Sequence, residues 1–316
     1  MWRKLSLAAL MALVVAPVLR LSPASALTIS PLVLEYELKP GEAVVGTVKL
    51  RNEGTAAETY YPYINDMLAG DESGTPTFVA SNPGHSVVDW VTFEQQSVTL
   101  EPGGFVNIVY NLTVPKSASP GGYYGALLFT TAAPSLDKSA VGASASTGPL
   151  LLVTVAGNVV EKGSVTDFVA SPASVSSLPI DFGIRFQNAG TVHVKPAGVI
   201  RITNMFGGTS AVIPVNEEGG NVLPDSGRVF SASWMEEELP AGASELVKEW
   251  KNFGFGPYTA TLIMNYGQSN QVASATTSFW VMPWMMVVLF IIFLVVLAML
   301  VMQYNKWILA KAQKRR

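Results

Sequence analysis

The chain of 316 residues contains no cysteine, only two histidines, and 14% charged residues against 49% hydrophobic ones. Without cysteine there is no disulfide framework, no thiolate metal site and no cysteine nucleophile, so an exported body folds on its core alone. His85 and His193 stand more than a hundred residues apart, which leaves little for metal or acid–base chemistry. The charge content is well under the ~25% of ordinary soluble domains, which excludes a highly charged disordered chain. Together these absences argue against an enzyme, and the sequence implies no cofactor.

What charge there is lies unevenly. Arg3, Lys4 and Arg20 fall in the first twenty positions, and Lys306, Lys311, Lys314, Arg315 and Arg316 in the last eleven, with no acid in either stretch. The body between them keeps twelve basic residues against all 23 acids, a net charge of −11. An acidic body excludes nucleic acid as a partner, because neutralising phosphates needs a basic patch.

Both ends read as targeting and anchoring segments. Arg3 and Lys4 precede an apolar run from Leu5 to Leu19, and Pro23 then leads into Ala24-Ser25-Ala26, an A-x-A cleavage pattern. Residues 1–26 are therefore predicted to be a secretory signal peptide, with a retained N-terminal anchor as the alternative. Phe279 to Met302 is free of charge, and its part after Pro283 would span about 28 Å at ~1.5 Å per residue. This predicts a transmembrane helix over 279–302, with Trp280 and Trp284 at one interface and Tyr304 and Trp307 at the other. The five terminal cations place the tail, 303–316, in the cytoplasm by the positive-inside rule. The expected localisation is the plasma membrane, single-pass, with the body outside.

The 252 residues from Leu27 to Ser278 carry strand signals. Val44, Gly46, Val48 and Leu50 alternate with Thr47, Lys49 and Arg51. Val106, Ile108, Tyr110, Leu112 and Val114 do the same, as do Ile180, Phe182, Ile184 and Phe186, and the run from Tyr258 to Tyr266. Only Ser244 to Lys251 could form a short turn of helix. The predicted fold is all-β, with two tandem immunoglobulin-like β-sandwich domains over 27–162 and 163–278. An internal echo supports the duplication: Asn52-Glu53-Gly54-Thr55 and Asn188-Ala189-Gly190-Thr191 each follow a strand, and Pro62 and Pro196 follow in turn. Asparagine and glycine tolerate positive φ, so each is expected to reverse the chain tightly. Ala132 to Gly148 and Asn65 to Ser86 are expected as surface loops.

Several segments together carry a resemblance. Pro31-Leu32-Val33-Leu34-Glu35-Tyr36, Lys39-Pro40-Gly41-Glu42, Leu100-Glu101-Pro102-Gly103-Gly104, Val114-Pro115 and Ser119-Pro120-Gly121-Gly122-Tyr123-Tyr124-Gly125 occur in an order that resembles the N-terminal domain of the WxL-interacting proteins of Gram-positive surfaces. Asn221-Val222-Leu223-Pro224, Phe253 to Tyr258 and Asn265-Tyr266-Gly267 are similar to the module that follows there, before a membrane helix and a basic tail. The resemblance implies a first domain that binds peptidoglycan and a second that binds a partner protein.

Chemistry has few candidates. Neither histidine has a nucleophile elbow around it, Asp66 to Gly74 lacks the spacing of a calcium loop, and the acidic runs Asp71-Glu72 and Glu236-Glu237-Glu238 read as charged surface rather than as a carboxylate pair acting on sugars. Tyr60, Tyr61, Tyr63, Tyr123 and Tyr124, with Asp71 and Glu72, form the candidate ligand surface, since tyrosine faces stack on sugars. Alternation along strands should turn about half of them inward. Two look-alikes are set aside. Leu223-Pro224-Asp225-Ser226-Gly227 is a proline-initiated turn rather than a sorting signal, and Trp307-Ile308-Leu309 lies in the tail. The expected function is a non-catalytic surface protein that binds peptidoglycan or a secreted or surface protein. The alternatives are a membrane-tethered assembly chaperone that works by β-augmentation, and an envelope glycan hydrolase.

Overall fold

The computed structural model describes residues 27–133, 146–235, 238–240 and 242–313, with side chains to Ile308. The predicted cleavage residues Ala24 and Ala26, the cations Lys314, Arg315 and Arg316, and most of the 132–148 segment lie outside them. The described chain is mostly β. By contacts it divides into two compact units, and the second also takes in Met67–Val79 and Ser119–Gly122.

The N-terminal strands are β1 (Leu27–Ser30), β2 (Val33–Leu38), β3 (Ala43–Asn52), β4 (Glu58–Ala69), β5 (Pro76–Val79), β6 (Val91–Phe93), β7 (Val98–Leu100), β8 (Phe105–Thr113), β9 (Gly121–Thr130) and β10 (Leu150–Val155). They form one sheet in the order β1-β3-β8-β6 and another in the order β2-β10-β9-β4-β5, with β7 against β4. The period-two pattern decides the faces: Val48 and Leu50 on β3, and Ile108, Tyr110 and Leu112 on β8, are fully buried. Each such side chain contributes roughly 1.5–3 kcal/mol on leaving water. Gly46 is the gap in this pattern for a steric reason. Its missing Cβ would lie 2.3 Å from the Tyr110 hydroxyl, which meets the Tyr36 hydroxyl at 2.7 Å. Burial and this hydrogen bond push the Tyr110 phenol far above its ordinary pKa.

The second unit carries β11 (Gly163–Ser171), β12 (Ser174–Val175), β13 (Ile180–Asn188), β14 (Ala197–Asn204), β15 (Thr209–Val215), β16 (Ser226–Trp234), β17 (Gly256–Tyr266) and β18 (Gln271–Val281). Their sheets run β11-β13-β16 and β12-β18-β17-β14-β15. One cluster takes Phe182, Ile184 and Trp234 from the first sheet and Ile200, Tyr258 and Phe279 from the second, so the two sheets face each other across a shared core. The strand order repeats that of the first unit. β11, β12, β13, β14, β15, β16, β17 and β18 stand where β1, β2, β3, β4, β5, β8, β9 and β10 stand, while β6 and β7 have no counterpart. In both units the first strand passes to the second at a cis serine–proline bond, Ser30–Pro31 and Ser171–Pro172.

The echo noticed in sequence has a structural basis other than the one expected. Neither asparagine nor the following glycine takes a positive φ. Each asparagine instead ends its strand fully buried and clamps three segments. Asn52 Nδ2 donates to Ala56 O at 2.8 Å and Leu100 O at 3.0 Å, while its Oδ1 accepts from Gly54 N at 2.8 Å. Asn188 Nδ2 donates to Val192 O at 2.8 Å and Val222 O at 2.9 Å, and its Oδ1 accepts from Gly190 N at 2.9 Å. The carboxamide is required because only it offers two donors and an acceptor from one short side chain.

Two helices complete the chain. α1 (Glu245–Lys251) realises the short turn expected after Ser244, and α2 (Trp284–Gln313) follows β18 almost directly. Within α2, Trp284–Ile308 has a mean hydropathy of 3.3 over its most apolar window and none of that window is buried, so it is long and apolar enough to cross a membrane. Trp280 and Trp284 are exposed at its N-terminal end and Tyr304 and Trp307 at the other, where Lys306 also lies and the backbone continues through Lys311.

Replacing either clamp with alanine strands buried backbone groups. Asn52→Ala and Asn188→Ala should each destabilise the fold by about 2–4 kcal/mol, and the aspartate variants should also be destabilised because they lose the donors. Denaturant unfolding of the purified chain checks this, and a loss under about 0.5 kcal/mol would contradict the clamp.

Candidate functional site

Three of the five tyrosines nominated as a sugar-binding surface are buried. Tyr60 is 2% exposed, Tyr123 5% and Tyr124 6%, while Tyr61 and Tyr63 are half-buried. The cause is a cover over β9 that period-two reasoning omits. Asp66, fully buried on β4, accepts from the Asn82 and Val87 N–H groups at 2.6 and 2.9 Å and so pins the 80–90 segment. His85 and Trp90 then pack on the Tyr123 ring at 5.4 and 4.4 Å between centroids. Both faces of β9 are buried as a result.

The expected loop from Asn65 to Ser86 is in its first part a hairpin: β4 continues to Ala69, and β5 returns from Pro76. Its tip holds Asp71 and Glu72. Asp71 Oδ1 accepts from Ser73 N at 3.0 Å, and the Ser73 hydroxyl hydrogen bond holds the Asp71 carboxyl below its ordinary value. Gly74 turns the chain at φ 86° directly over Arg228, where a Cβ would come within 2.4 Å of the guanidinium carbon. Glu72 is committed twice over. Its carboxylate pairs with Arg185 at 2.7 Å, and its carbonyl accepts from Val229 N at 2.7 Å. Both acids thus make their contacts within the second unit.

Val229 belongs to β16, and that contact exposes the feature with most functional content. β16 is nine residues at the edge of its sheet, paired only with β13. Phe230, Ala232 and Trp234 are buried, and Val229, Ser231 and Ser233 face solvent. The register sets Val229 opposite Arg185, Ser231 opposite Gly183 and Ser233 opposite Asp181. Because the Val229 N–H points to Glu72, this is the non-hydrogen-bonded set of an antiparallel ladder, so the backbone groups of Ser231 and Ser233 also point away from β13. In the first unit the equivalent position beside β8 is filled by β6. Beside β16, among the described residues, the hairpin tip alone pairs there, through Val229. From Phe230 to Trp234 the edge carries no charge, proline or bulge, the devices that usually block strand addition.

Among the described residues no group of three or more His, Asp or Glu side chains could hold a metal ion. His193 lies in the connection between β13 and β14 rather than in a strand. The Leu223–Gly227 segment is the turn expected, with Asp225 at φ 52° and the Ser226 hydroxyl donating to Leu223 O at 2.8 Å. The edge of β16 carries no sequence signature, since its strand pattern is ordinary and only pairing reveals the empty flank.

The hairpin contacts have separable strengths. Glu72→Gln should cost under about 1 kcal/mol and the difference should vanish in 1 M salt, because the pair is half-exposed. Gly74→Ala should cost about 1–2 kcal/mol from the positive φ alone. Thermal unfolding at two salt concentrations reads both. As pH falls, the Asp71 cap should persist through 3.8 and be lost only through its lowered value, seen as faster exchange of the Ser73 amide.

No family model matches the chain, and no curated protein matches it. Among solved structures it is similar to the class 5 fimbrial chaperone CfaA at 10% identity and a TM-score of 0.38, over 80% of this chain and 99% of that one. A second is the CsuC–CsuE chaperone–tip adhesion subunit complex of Acinetobacter baumannii, at 10% identity and 0.37, over 80% and 98%. A third is the Pseudomonas aeruginosa chaperone CupB2, at 9% identity and 0.34, over 80% and 100%. Similarity at this level decides nothing about what the chain does.

Proposed function

We propose that the chain is a membrane-tethered, non-catalytic envelope protein whose β-sandwiches capture an extended segment of a secreted or surface protein, as an assembly chaperone does. The observation that carries this is the unpaired, uncharged edge of β16, at which Val229 already donates to an added backbone carbonyl. An arriving strand would continue that ladder through Ser231 and Ser233, with main-chain bonds giving affinity and its side chains giving selectivity. The likeness to the WxL-interacting proteins, in which the second module is described as binding a partner protein, points the same way. For binding of peptidoglycan, which the same likeness implies for the first module, Tyr60, Tyr123 and Tyr124 offer no stacking face because they are buried.

In this reading residues 1–26 are the export signal, 27–162 and 163–281 the two extracellular modules, 284–302 the membrane segment and 303–316 a cytoplasmic tail. The membrane segment starts at Trp284 rather than at the expected Phe279 because Phe279, Trp280 and Val281 close β18, with Phe279 and Val281 packed in the core. The cations Lys306, Lys311, Lys314, Arg315 and Arg316 hold the C-terminus inside.

A photo-crosslinking residue at Ser233 in the full chain, expressed in native cells, should capture a discrete secreted or surface protein. Ser231→Pro removes one outward N–H without touching the β13 ladder and should reduce capture roughly tenfold, while Ser231→Ala, which keeps the amide, should not. Absence of any protein adduct, or capture unaffected by the proline, would sink the proposal.

A further inference from the structure

α1 is a seven-residue helix whose outward face is apolar: Leu246 is 40% exposed, Val247 44% and Trp250 67%. A soluble domain seldom presents such a face on so short an element. Its opposite side carries Glu249, fully buried, whose carboxylate accepts from the Met285 and Met286 N–H groups at 3.3 and 2.9 Å. These are first-turn amides of α2, which have no partner inside their own helix. An acid there satisfies them and meets the positive end of the helix dipole. Glu249 thus pins α1 to the start of the apolar helix.

Between the two helices runs a groove of about 530 Å³ lined by Leu246, Val247, Trp250, Lys251, Met286, Leu289 and Phe290. Three of those residues, Met286, Leu289 and Phe290, belong to the segment apolar enough to span a membrane. The exposed apolar surface continues from the groove. Gly256 pairs with Val281; Phe253 and Phe255, 56% and 45% exposed, come just before that pair in the chain, and Met282 and Trp284, 39% and 54% exposed, just after it. Trp280 and Trp250 add two more indoles of the kind that settle at a headgroup boundary.

We infer that α1 is an interfacial helix and that its groove with α2 takes a phospholipid acyl chain of the outer leaflet, Glu249 fixing the depth at which α1 lies. This rests on the reading of α2 as the membrane span. The occupant is lipid because one wall of the groove continues into that span, and acyl chains are what surround it. The consequence is a second unit held against the bilayer instead of swinging on a free tether: only Met282 and Pro283 separate β18 from α2.

The absence of native cysteine makes the test direct. Single cysteines at Val247 and Leu294 in the full chain, each carrying a polarity-sensitive fluorophore, are examined in phosphatidylcholine nanodiscs with nitroxide on the acyl chain, then with a water-soluble quencher. Both labels should lose roughly half or more of their emission to the lipid nitroxide and little to the soluble quencher. Glu249→Ala should return the 247 label to the soluble quencher while leaving the 294 label unchanged, and Glu249→Gln, which keeps one acceptor oxygen, should restore the original pattern. If the 294 label is lipid-quenched and the 247 label is not, the interfacial inference fails and the spanning helix stands. If neither is, the spanning reading itself fails. A 247 label whose lipid quenching survives Glu249→Ala would overturn the role given to Glu249.

Discussion

Both units depend on one buried carboxamide apiece. A β-sandwich without a disulfide must still tie the end of its long inner strand to the chain that leaves it, and Asn52 and Asn188 do so with matching sets of three hydrogen bonds. Each satisfies two carbonyls and an amide that would otherwise sit in a closed, low-dielectric space, where an unpaired backbone group is costly. Once that junction is set, the strands on either side inherit their register, and the alternating apolar faces can close on each other. The absence of cysteine is thus compensated by polar clamps at equivalent points of a repeated strand order.

The repeat is incomplete in a way that bears on function. Beside β8 the first unit has β6, whereas beside β16 the second has, among the described residues, only the tip of the β4–β5 hairpin, held by the Glu72 carbonyl, the Arg185 pair and the close approach of Gly74 to Arg228. A sheet edge is a row of unspent donors and acceptors, and proteins commonly block it with charge, proline or bulges. The stretch from Phe230 to Trp234 has none of these. The opposite economy rules at the membrane-proximal end, where Glu249 spends a buried charge on the first turn of an apolar helix and leaves an aromatic face turned outward.

How far the sequence could be read depended on the range of the interaction. Period-two alternation placed Val48, Ile108, Ile184 and Leu262 inside because pleating is local. The apolar run that became α2 was equally plain, since composition and length are enough. The tyrosines failed because the cover over Tyr123 comes from His85 and Trp90, more than thirty residues earlier, and is held by a carboxylate on a third segment. The echoed asparagines were noticed for the right spacing and given the wrong work: turn chemistry suggests positive φ, but burial turns the side chain into a bridge.

The sequence by itself determined a mostly β chain with alternating faces, an apolar C-terminal helix, and the segregation of charge into an acidic body and basic ends. These follow from periodicity, length and composition, which need no knowledge of what lies alongside. Tertiary structure alone decided which strand edge was left open, which acids carry contacts, and that Glu249 faces inward onto α2 while Trp250 is exposed. Each of these is a property of neighbours brought together by pairing and packing, and a side chain's role is set by those neighbours more than by its type.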